Sequence, residues 1–477
     1  MEQRLHFIGA GVAPPASGLY MDVFDPATGR KIAEVAAGSA SDVDRAVTAA
    51  SDAFGAWRDL RPIERGRILT EIARLMRERA AEFIALEAAE TGKPAWQTPI
   101  EVERAAQYFE FFGGLVNVGH GEILNLGSDY HCYTRREPYG VVGVILPWNA
   151  PLNQAARAIA PAIAVGNTVV AKPSEETPGS VLLLARLAVE ACGLPPGVLN
   201  VVQGRGQEAG RPLIEHPQVR KVAFTGSLRA GQEIGRIAAE RILPLTLELG
   251  GKSANLVFDD ADFDAAVAGA VRAFALNAGQ ICLAGTRLLV QRSIYERFVA
   301  AVVAAVGALK VGPEGEAFVG PLTTAAQFDK VQAYFAIAAE EGAVLETGGR
   351  ALADDRPQDG WFVYPTVYSG VTTDMRIARE EIFGPVLVVM PFEDEAQAVQ
   401  IANGTDFGLA AGLWTRDLGR AHRVSALLEA GQIYVNEYHS GGIETPMGGY
   451  KSSGYGREKG VEALAHYTQL KCVTIRL

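Results

Sequence analysis

Cysteine is scarce in this chain. Its 477 residues include four, Cys132, Cys192, Cys282 and Cys472, and none belongs to a CxxC pair or stands in a cluster with histidine. A disulfide framework needs many paired cysteines, and a structural zinc site needs closely spaced cysteine or histidine ligands. The sequence therefore predicts neither a disulfide framework nor a metal site, and it is typical of the reducing cytoplasm.

Positive charge and long apolar runs are lacking as well. The formal net charge is -11, whereas a protein that binds nucleic acid or an anionic membrane needs a basic face. No apolar run approaches the length that spans a bilayer, and the first residues, MEQRLHFIGAG, lack the long apolar region of a secretory signal. We therefore expect no nucleic-acid partner, no membrane partner and no secretory signal.

What the chain does have is the length and composition of a folded protein with more than one core. Hydrophobic residues make up 48% and charged residues 21% of it, and 477 residues predict two or three domains. In the N-terminal part, a capping box of Ser41 and Asp44 predicts the start of a helix. An approximate 3.6-residue period from Ile63 to Leu86 predicts one long amphipathic helical stretch.

From about residue 140, short β-rich runs alternate with helical segments. One group of runs lies at 141–146, 168–172, 199–202, 221–225 and 245–249, and a second lies at 286–291, 385–392, 412–415 and 432–436. Between two runs of the first group, a helix is predicted after Pro178, with Gly193 as its C-terminal cap. Apolar strands that alternate with helices indicate a parallel, doubly wound α/β sheet, in which ligands bind at the carboxyl ends of the strands.

Two segments with alternating polarity, 128–136 and 471–477, lie outside these α/β regions. Exposed edge strands of this kind commonly pair with another subunit. We therefore expect a homo-oligomer whose subunits pair through these segments.

The surroundings of Cys282 differ from those of an ordinary buried cysteine. Gly279 and Gln280 precede it closely and small residues follow it, which is typical of a turn that presents the sulfur to a ligand. A nucleophilic thiolate needs a nearby base or a positive field, and Glu248, which ends an apolar run before two glycines, is a candidate. The alternative interpretation is an inert, half-buried thiol.

Polar residues also follow four successive predicted strands. They are the amide Asn149, the charged pair Lys172 and Glu175, the helix-opening turn Gly226-Ser227, and the carboxylate Glu248. Each has a simpler interpretation alone: Asn149 as a turn residue, the charged pair as a surface ion pair, and the turn as a weak match to a dinucleotide motif that lacks GxGxxG. Together, the four strand ends predict a ligand site with a phosphate contact at the helix N-terminus.

Seven motifs then carry a resemblance. They are PWNAP (147–151), KPSE (172–175), FTGS (224–227), LELGGKS (247–253), GQICLAGTR (279–287), EEIFGPV (380–386) and GGYKSSGYGRE (448–458). Jointly and in this order, over nearly the whole chain, they resemble the aldehyde dehydrogenase superfamily, and within it the members of aromatic-aldehyde, semialdehyde and betaine-aldehyde type. The resemblance implies a Rossmann-like nicotinamide-cofactor domain at 1–117 and 138–250 and an α/β catalytic domain at 251–452. It also implies a small β oligomerisation domain at 118–137 and 453–477, in a homodimer or homotetramer.

The resemblance also implies roles for single residues. Cys282 is the expected nucleophile, Glu248 the general base and Asn149 the oxyanion donor. The expected cofactor-binding residues are Trp148, Lys172, Glu175, Gly226, Ser227, Glu381 and Phe383. Within this set, Lys172 and Glu175 match the positions that hold the adenosine ribose, and Ser227 matches a pyrophosphate contact. The family's common Gly-Ser-Thr turn is here Gly226-Ser227-Leu228.

The implied reaction is the NAD(P)-dependent oxidation of an aldehyde to a carboxylic acid, through a thiohemiacetal and a thioester on Cys282. The Glu175 carboxylate accepts hydrogen bonds from a ribose 2′-hydroxyl and repels a 2′-phosphate, so NAD is the expected cofactor, with NADP as an alternative. A relative that passes the thioester to coenzyme A is a second interpretation, against which Glu248 argues. A binding protein without activity is a third, and the joint presence of Cys282, Glu248 and Asn149 argues against it.

Arg157 and Gln154 are candidates for substrate recognition. Both lie on the helix that PWNAP opens, Arg157 nine residues after Trp148, and Ala150 leaves room beside Asn149. A similar arginine occurs in aromatic-aldehyde and semialdehyde members of the superfamily. Because a guanidinium binds a carboxylate or a phenolic oxygen, we expect a polar or aromatic aldehyde, with an acid semialdehyde as the alternative. The alternative for Arg157 itself is a pair with a structural carboxylate.

Overall fold

The computed structural model describes residues 2–313, 315–355 and 360–477. The helices of the described residues are α1 Ala40–Asp59, α2 Pro62–Glu78, α3 Ala80–Thr91, α4 Thr98–Gly114, α5 Pro151–Ala164, α6 Gly179–Glu190, α7 Arg211–Glu215, α8 Leu228–Arg241, α9 Phe263–Ala275, α10 Tyr295–Gly307, α11 Ala325–Glu340, α12 Arg376–Arg379, α13 Glu395–Asn403, α14 Leu418–Leu427 and α15 Glu462–His466.

The strands are β1 Glu2–Arg4, β2 His6–Ile8, β3 Gly11–Ala13, β4 Tyr20–Asp25, β5 Arg30–Ala36, β6 Ile123–Leu124, β7 Tyr130–Pro138, β8 Val141–Ile145, β9 Thr168–Lys172, β10 Leu199–Val201, β11 Val219–Thr225, β12 Leu245–Glu248, β13 Ala254–Val257, β14 Arg287–Gln291, β15 Val344–Thr347, β16 Thr366–Ser369, β17 Val386–Phe392, β18 Phe407–Gly408, β19 Ala410–Trp414, β20 Gln432–Val435, β21 Tyr450–Lys451, β22 Gly454–Tyr455 and β23 Thr468–Arg476.

The first large sheet, sheet A, has the order β22-β12-β11-β8-β9-β10-β2-β3, and its five strands from β12 to β10 run parallel. Alternate residues of β8 belong to two separate apolar clusters. Val142 and Val144 pack with residues of α4, α5 and α6, whereas Val141 and Ile145 pack with residues of α1, α7 and α8. A parallel sheet covered by helices on both faces is doubly wound, as the alternation of runs predicts.

The second large sheet, sheet B, has the order β15-β16-β17-β14-β13-β19-β20 and is parallel from β16 to β20. Both of its faces are also buried, because Val388 and Leu387 on neighbouring positions of β17 belong to different apolar clusters. The predicted α/β class is confirmed. The sequence missed β13, a central strand of sheet B, because only two residues separate LELGG from it.

The carboxyl ends of four parallel strands meet at one edge of sheet A. In register, Ile145 of β8 lies opposite Lys172 of β9 and Phe224 of β11, and Thr225 lies opposite Glu248 of β12. The loop that follows β8 therefore emerges beside the ends of β9, β11 and β12, which brings the polar strand ends together.

Helix α5 begins in that loop and runs through the protein interior. All but one of its residues are buried, including the polar Gln154 and Arg157. A helix that is buried on every side needs partners for its polar groups from neighbouring elements. The orientation of the Arg157 side chain therefore depends on the polar groups of the elements that pack against α5.

Three helix predictions need correction. Helix α1 begins at Ala40, and the capping box joins Ser39 and Asp42, whose carboxylate accepts hydrogen bonds from the Ser39 N–H and hydroxyl at 2.9 Å each. The sequence SASDVD contains two overlapping boxes, and the protein uses the earlier one rather than that of Ser41 and Asp44.

The predicted long stretch from Ile63 to Leu86 consists of two helices, α2 and α3, which are separated at Arg79 with φ -101° and ψ 23°. An approximate period does not reveal a break of one residue. The helix predicted after Pro178 is α6, and it ends at Glu190 with Ala191 as its cap, so Gly193 (φ +76°) lies in the turn beyond.

The predicted edge strands form a separate small sheet of order β23-β7-β6, sheet C. Strand β7 pairs along its whole length with β23 of the same chain and partly with β6. The prediction that residues 128–136 form an exposed edge strand is therefore wrong. The pairing brings two distant cysteines together, with the Sγ atoms of Cys132 and Cys472 3.6 Å apart. Strand β23 has one neighbour in the described chain and keeps an open edge.

The predicted domain bounds remain a prediction. One strand pairing departs from them. Residues 454–455, expected in the oligomerisation domain, form β22, which pairs with β12 at the edge of sheet A. Among the described residues, no helix is both long and apolar enough to cross a membrane.

Candidate active site

The turn before Cys282 has an unusual backbone. Asn277, Ala278 and Gly279 all have positive φ angles, 52°, 52° and 72°. A left-handed conformation costs a residue with a Cβ about 1–2 kcal/mol, so neighbouring structure has to hold this turn. A Cβ at Gly279 would collide with the backbone carbonyl of Gly384. The turn is therefore packed tightly against the EEIFGPV segment.

Asn149 is attached to the same turn. Its side-chain Nδ2 donates a hydrogen bond to the backbone carbonyl of Gln280 at 2.9 Å, and the Asn277 side chain donates to the Asn149 carbonyl at 3.3 Å. Gln280 is held in turn, because its side-chain oxygen accepts from the Thr323 N–H at 2.9 Å. An amide nitrogen has two hydrogens, so Asn149 keeps one hydrogen for a further acceptor.

Glu248 lies at the end of β12 and is 1% exposed. Neither of its carboxylate oxygens has a hydrogen-bond partner among the described residues. Burial, and next the negative charge of Glu458, raise the pKa of Glu248 well above its ordinary value, whereas Arg157 acts in the opposite direction. A carboxyl group with a raised pKa and free oxygens is suited to take a proton near neutral pH.

Cys282 is half-buried at the end of this turn. The pKa of the Cys282 thiol is raised to about 12, first by burial and then by the charges of Glu248 and Glu381, while Arg157 acts in the opposite direction. The thiol is thus protonated at neutral pH in this state. A base has to remove its proton before the sulfur can act as a nucleophile.

Arg157 makes a buried ion pair. Its Nε is in direct contact with Oε2 of Glu458, and its Nη2 donates a hydrogen bond to the Thr225 hydroxyl at 3.1 Å. Burial is the largest single influence on the pKa of Arg157 and lowers it, but the charges of Glu458 and Glu248, with smaller contributions from Tyr108 and Cys282, together outweigh burial and the pKa is raised. The alternative stated above, a pair with a structural carboxylate, is the arrangement that the protein adopts. Gln154, by contrast, has a buried side-chain oxygen without a partner among the described residues.

Two cavities of about 180 Å³ each meet at this place. The first, named here the α4–α5 cavity, lies between α4, α5, the turn before Cys282, and residues 432–459. The second, named the strand-end cavity, lies at the carboxyl ends of β8, β11 and β12 and contains Glu248. Cys282, Asn149 and Gln154 line both cavities. The sulfur is therefore open from two sides, and Glu248 lies on one of them.

Aromatic and acidic residues bound the strand-end cavity opposite Glu248. The rings of Trp148 and Phe383 make an edge-to-face contact with centroids 5.5 Å apart. Phe383 has a φ of 60°, and its carbonyl accepts a hydrogen bond from the Gln327 side chain at 2.8 Å. The Glu381 carboxylate accepts from the Gly251 N–H at 3.2 Å, so it lies directly behind LELGG.

The other predicted cofactor residues follow the same edge of sheet A. Gly226 and Ser227 line the strand-end cavity, and Ser227 caps α8 by accepting from the Ala230 N–H. Lys172 is buried and donates to the Gly204 carbonyl at 2.7 Å, with its Nζ 3.6 Å from the Glu175 carboxylate. The two residues lie away from the cavity but at the next strand end, and their contacts with a cofactor remain a prediction. The described residues contain no group of three side chains suited to a metal ion.

Sequence reasoning missed three residues that hold this site. Gln280 accepts the hydrogen bond that holds Asn149. Glu458 pairs with Arg157, and its negative charge raises the pKa of Glu248. The Glu87 carboxylate on α3 accepts from the Leu152 N–H at 3.1 Å and so caps the first turn of α5. Glu458 and Gln280 both lie in motifs quoted above, GGYKSSGYGRE and GQICLAGTR, but their contacts, like that of Glu87, join segments distant in sequence and have no local signal.

Comparisons with known proteins agree with this arrangement. Residues 13–473 match the model described as the aldehyde dehydrogenase family. A betaine aldehyde dehydrogenase of Brucella melitensis is 43% identical over 475 residues, which cover 99% of this chain and 97% of that protein.

Two solved structures are similar throughout. The NAD+ complex of an aldehyde dehydrogenase from Bacillus cereus is 39% identical with a TM-score of 0.97, and covers 100% of this chain and 97% of that one. An indole-3-acetaldehyde dehydrogenase of P. syringae, solved with NAD+ and IAA, is 40% identical with the same TM-score of 0.97 and the same coverage of 100% and 97%. The resemblance that the motifs predict is thereby confirmed, and the chain belongs to the aldehyde dehydrogenase family, whose members are oxidoreductases that act on aldehydes.

Proposed function

We propose that this chain oxidises an aldehyde to a carboxylic acid with NAD+, through a thioester on Cys282. The observation that supports this most directly is the meeting of two cavities at Cys282 and Asn149. An aldehyde in the α4–α5 cavity and a nicotinamide in the strand-end cavity would approach the same sulfur from opposite sides. Glu248 lines the strand-end cavity together with Cys282, so it can reach a water molecule that attacks the thioester.

The residues of the strand-end cavity fit such a cofactor. Trp148 and Phe383 supply aromatic walls, and Ser227 starts a helix of 14 residues whose N-terminus favours a phosphate. The two oxygens of Glu248 that lack partners require a polar ligand or water in the working enzyme. When bound, NAD+ accepts a hydride from the substrate; all other steps belong to the chain's own residues.

In the first step the Cys282 thiol gives its proton to a base, for which Glu248 in the same cavity is the candidate, and the thiolate attacks the aldehyde carbon. The negative charge then forms on the former carbonyl oxygen, where the Asn149 amide and the Cys282 backbone N–H would stabilise it. Loss of a hydride from the former aldehyde carbon to the cofactor leaves a thioester on Cys282. In the second step the ionised Glu248 takes a proton from water, which attacks the thioester carbon and releases the acid, with the Cys282 sulfur as the leaving group. The raised pKa of Glu248 makes it a stronger base once ionised. Arg157 positions the elements around these groups through Glu458 and Thr225.

The substrate is proposed to be a polar or aromatic aldehyde, with an acid semialdehyde as the alternative. The walls of the α4–α5 cavity support a polar substrate, since Asn153, Gln154 and Tyr434 are among them. The names of the relatives do not decide the matter, because a betaine aldehyde dehydrogenase and an indole-3-acetaldehyde dehydrogenase are similarly close. Transfer to coenzyme A is a less favoured outcome, since Glu248 is suited to activate water.

The chain is further proposed to act in the cytoplasm as a homodimer or homotetramer. The open edge of β23 supports an assembly, together with exposed apolar side chains on sheet C and at its end. Among these, Ile123 is 81% and Leu477 is 79% exposed. Apolar side chains beside an open strand edge favour pairing with another copy.

The function is tested with the purified chain, NAD+ and a panel of aldehydes, with and without coenzyme A. We expect NADH and free acid in the first case and no acyl-coenzyme A in the second. Cys282→Ala is expected to abolish turnover, whereas Cys192→Ala, at a buried cysteine away from both cavities, serves as the matched control. Turnover by Cys282→Ala, or acyl-coenzyme A as the main product, would contradict the proposal.

A further inference from the structure

The α4–α5 cavity contains more positive charge than its carboxylates neutralise. Its ionisable walls include Glu101, Arg104, Arg157, His439 and Lys459. Arg157 is neutralised by Glu458, and the Glu101 carboxylate lies 3.7 Å from the Nζ of Lys93. His439 is neutral near pH 7, because burial lowers its pKa to about 4. The charges of Arg104 and Lys459 remain.

Neither cation has an ion pair or hydrogen bond from its side chain within the described chain. Arg104 lies on the exposed side of α4 and Lys459 directly follows Glu458 in sequence. Arg74, Arg77 and Arg79 on neighbouring helices each pair with a carboxylate. Arg104 and Lys459, by contrast, bring two unpaired cations to the walls of one cavity.

Lys459 is also held in an unfavourable conformation. Its backbone has a φ of 64°, which a residue with a Cβ rarely adopts. Burial, and next the charges of Arg157 and Arg104, lower the pKa of Lys459 to about 8, while the exposed Glu444 acts in the opposite direction. The ammonium group is therefore partly buried in a field of like charge. Such strain and such unpaired charge are typical of functional sites.

We propose that Arg104 and Lys459 form an anion subsite in the α4–α5 cavity, which binds the carboxylate of an aldehyde that carries one. This inference rests on the proposed function and selects, within it, carboxylate-bearing aldehydes as the substrate class. A planar guanidinium and a mobile ammonium are complementary ligands for a carboxylate, since the first binds it in a fixed plane and the second as a point charge. A bound carboxylate neutralises both cations and removes their mutual repulsion.

The same charges disfavour a cationic substrate. A quaternary ammonium group is bound by aromatic faces and by unpaired carboxylates. In the α4–α5 cavity the unpaired charges are positive, and the one lining carboxylate, Glu101, lies beside Lys93. Repulsion of the wrong substrate is a common source of specificity. Betaine aldehyde, the substrate that the name of a 43% identical relative indicates for that relative, is therefore expected to be a poor substrate here.

The test compares aldehydes that differ in one carboxylate: succinate semialdehyde with butanal, and 4-carboxybenzaldehyde with benzaldehyde. We expect the wild type to have a higher kcat/KM for the carboxylate member of at least one pair. In Lys459→Gln and Arg104→Gln, this ratio should fall about tenfold or more, mainly through KM, because a charge-assisted hydrogen bond is lost. Arg104→Lys should keep part of the preference. Arg61→Gln, on an exposed arginine of the N-terminal helices, is the control and should leave the ratio unchanged.

Direct binding separates recognition from catalysis. Succinate should bind the wild-type protein in calorimetry and slow alkylation of Cys282, and both effects should weaken in Lys459→Gln. Equal loss of activity on both members of a pair would overturn the subsite and indicate a structural role. A wild type that prefers butanal and benzaldehyde, or that favours betaine aldehyde, would also overturn it while leaving the proposed function intact. Absence of oxidation of every aldehyde would instead reject the proposed function.

Discussion

The side-chain amide of Asn149 donates a hydrogen bond to the backbone carbonyl of Gln280, two residues before Cys282, at 2.9 Å. The bond joins the loop after β8 to the turn that carries the sulfur, across 131 positions of sequence. One amide hydrogen of Asn149 is thereby used for positioning and the other is available at Cys282. A residue that is both fixed and a donor fits a preorganised oxyanion site.

Replacing Asn149 by alanine removes that donor. Losing one donor of this kind lowers kcat by about 10²–10³-fold in enzymes that form an oxyanion. We expect Asn149→Ala to lose activity on this scale, measured as NADH formation at saturating aldehyde, with an unchanged far-UV circular dichroism spectrum. Asn153→Ala, at the half-buried asparagine of α5 that lines the α4–α5 cavity without lining the strand-end cavity, is the matched control for kcat. A loss smaller than tenfold would remove Asn149 from the proposed oxyanion site.

Glu248→Gln should separate the two halves of the reaction. The glutamine keeps the shape of the side chain but cannot take a proton from water, so the thioester on Cys282 should accumulate. Intact-mass spectrometry after mixing with aldehyde and NAD+ should show the added acyl mass in the variant and little of it in the wild type. Full turnover by the variant would exclude Glu248 as the base.

The sequence predicted the parts of the site that lie at the ends of regular strands. Asn149, Lys172, Ser227 and Glu248 stand at four neighbouring strand ends of sheet A, as the alternation of runs and helices required. Local patterns suffice here, because parallel strands have their carboxyl ends at one edge whatever the details of packing.

The contacts that hold these residues could not be predicted in the same way. Arg157 and Glu458 are separated by 301 positions, and Lys459 adopts a positive φ without a sequence pattern that requires one. The pairing of β7 with β23 was hidden for the same reason, since each strand looked like an edge on its own. Long-range pairing depends on the packing of whole elements, which periodicity does not encode.

Cofactor preference should depend on Glu175. Its carboxylate lies 3.6 Å from Lys172 at the end of β9, where a second negative charge from a 2′-phosphate would be repelled. We expect a higher kcat/KM with NAD+ than with NADP+, and a ratio that shifts towards NADP+ by about tenfold in Glu175→Ser. Glu176→Ser, at the next residue, is the control and should leave the ratio near that of the wild type. Equal efficiency of the wild type with both cofactors would contradict the role of Glu175.

Assembly should depend on the last strand. Residues 471–477 include most of β23, which has its open edge on sheet C, and the exposed Ile475 and Leu477. We expect wild-type protein to be a dimer or tetramer in light scattering, and deletion of 471–477 to lower its mass or prevent folding. A milder variant, Ile475→Lys, keeps the strand and should also weaken assembly. An active wild-type monomer is the outcome that this prediction does not allow.

The pH dependence of thioester hydrolysis should depend on the pair of Arg157 and Glu458. Burial and then the charge of Glu458 raise the pKa of Glu248, so Glu248 becomes a base only as pH rises through that raised value. In Glu458→Gln the raising charge is absent and Arg157 remains positive. Without the Glu458 charge, and with that of Arg157 retained, the pKa of Glu248 falls, so the acid limb of the hydrolysis rate should move to lower pH. The variant should also be less stable by about 3–5 kcal/mol, because Arg157 is left buried without its partner.

The double variant Arg157→Met with Glu458→Gln provides the control, since it removes both charges together. Its acid limb should return towards that of the wild type, because Glu458 and Arg157 act on the pKa of Glu248 in opposite directions. The rate is measured as decay of the acyl-enzyme from pH 5 to pH 9, approximately the range over which a carboxyl with a raised pKa titrates. Identical acid limbs in all three proteins would show that Glu248 does not control hydrolysis. An acid limb that moves to higher pH in Glu458→Gln would contradict the prediction that the charge of Glu458 raises the pKa of Glu248.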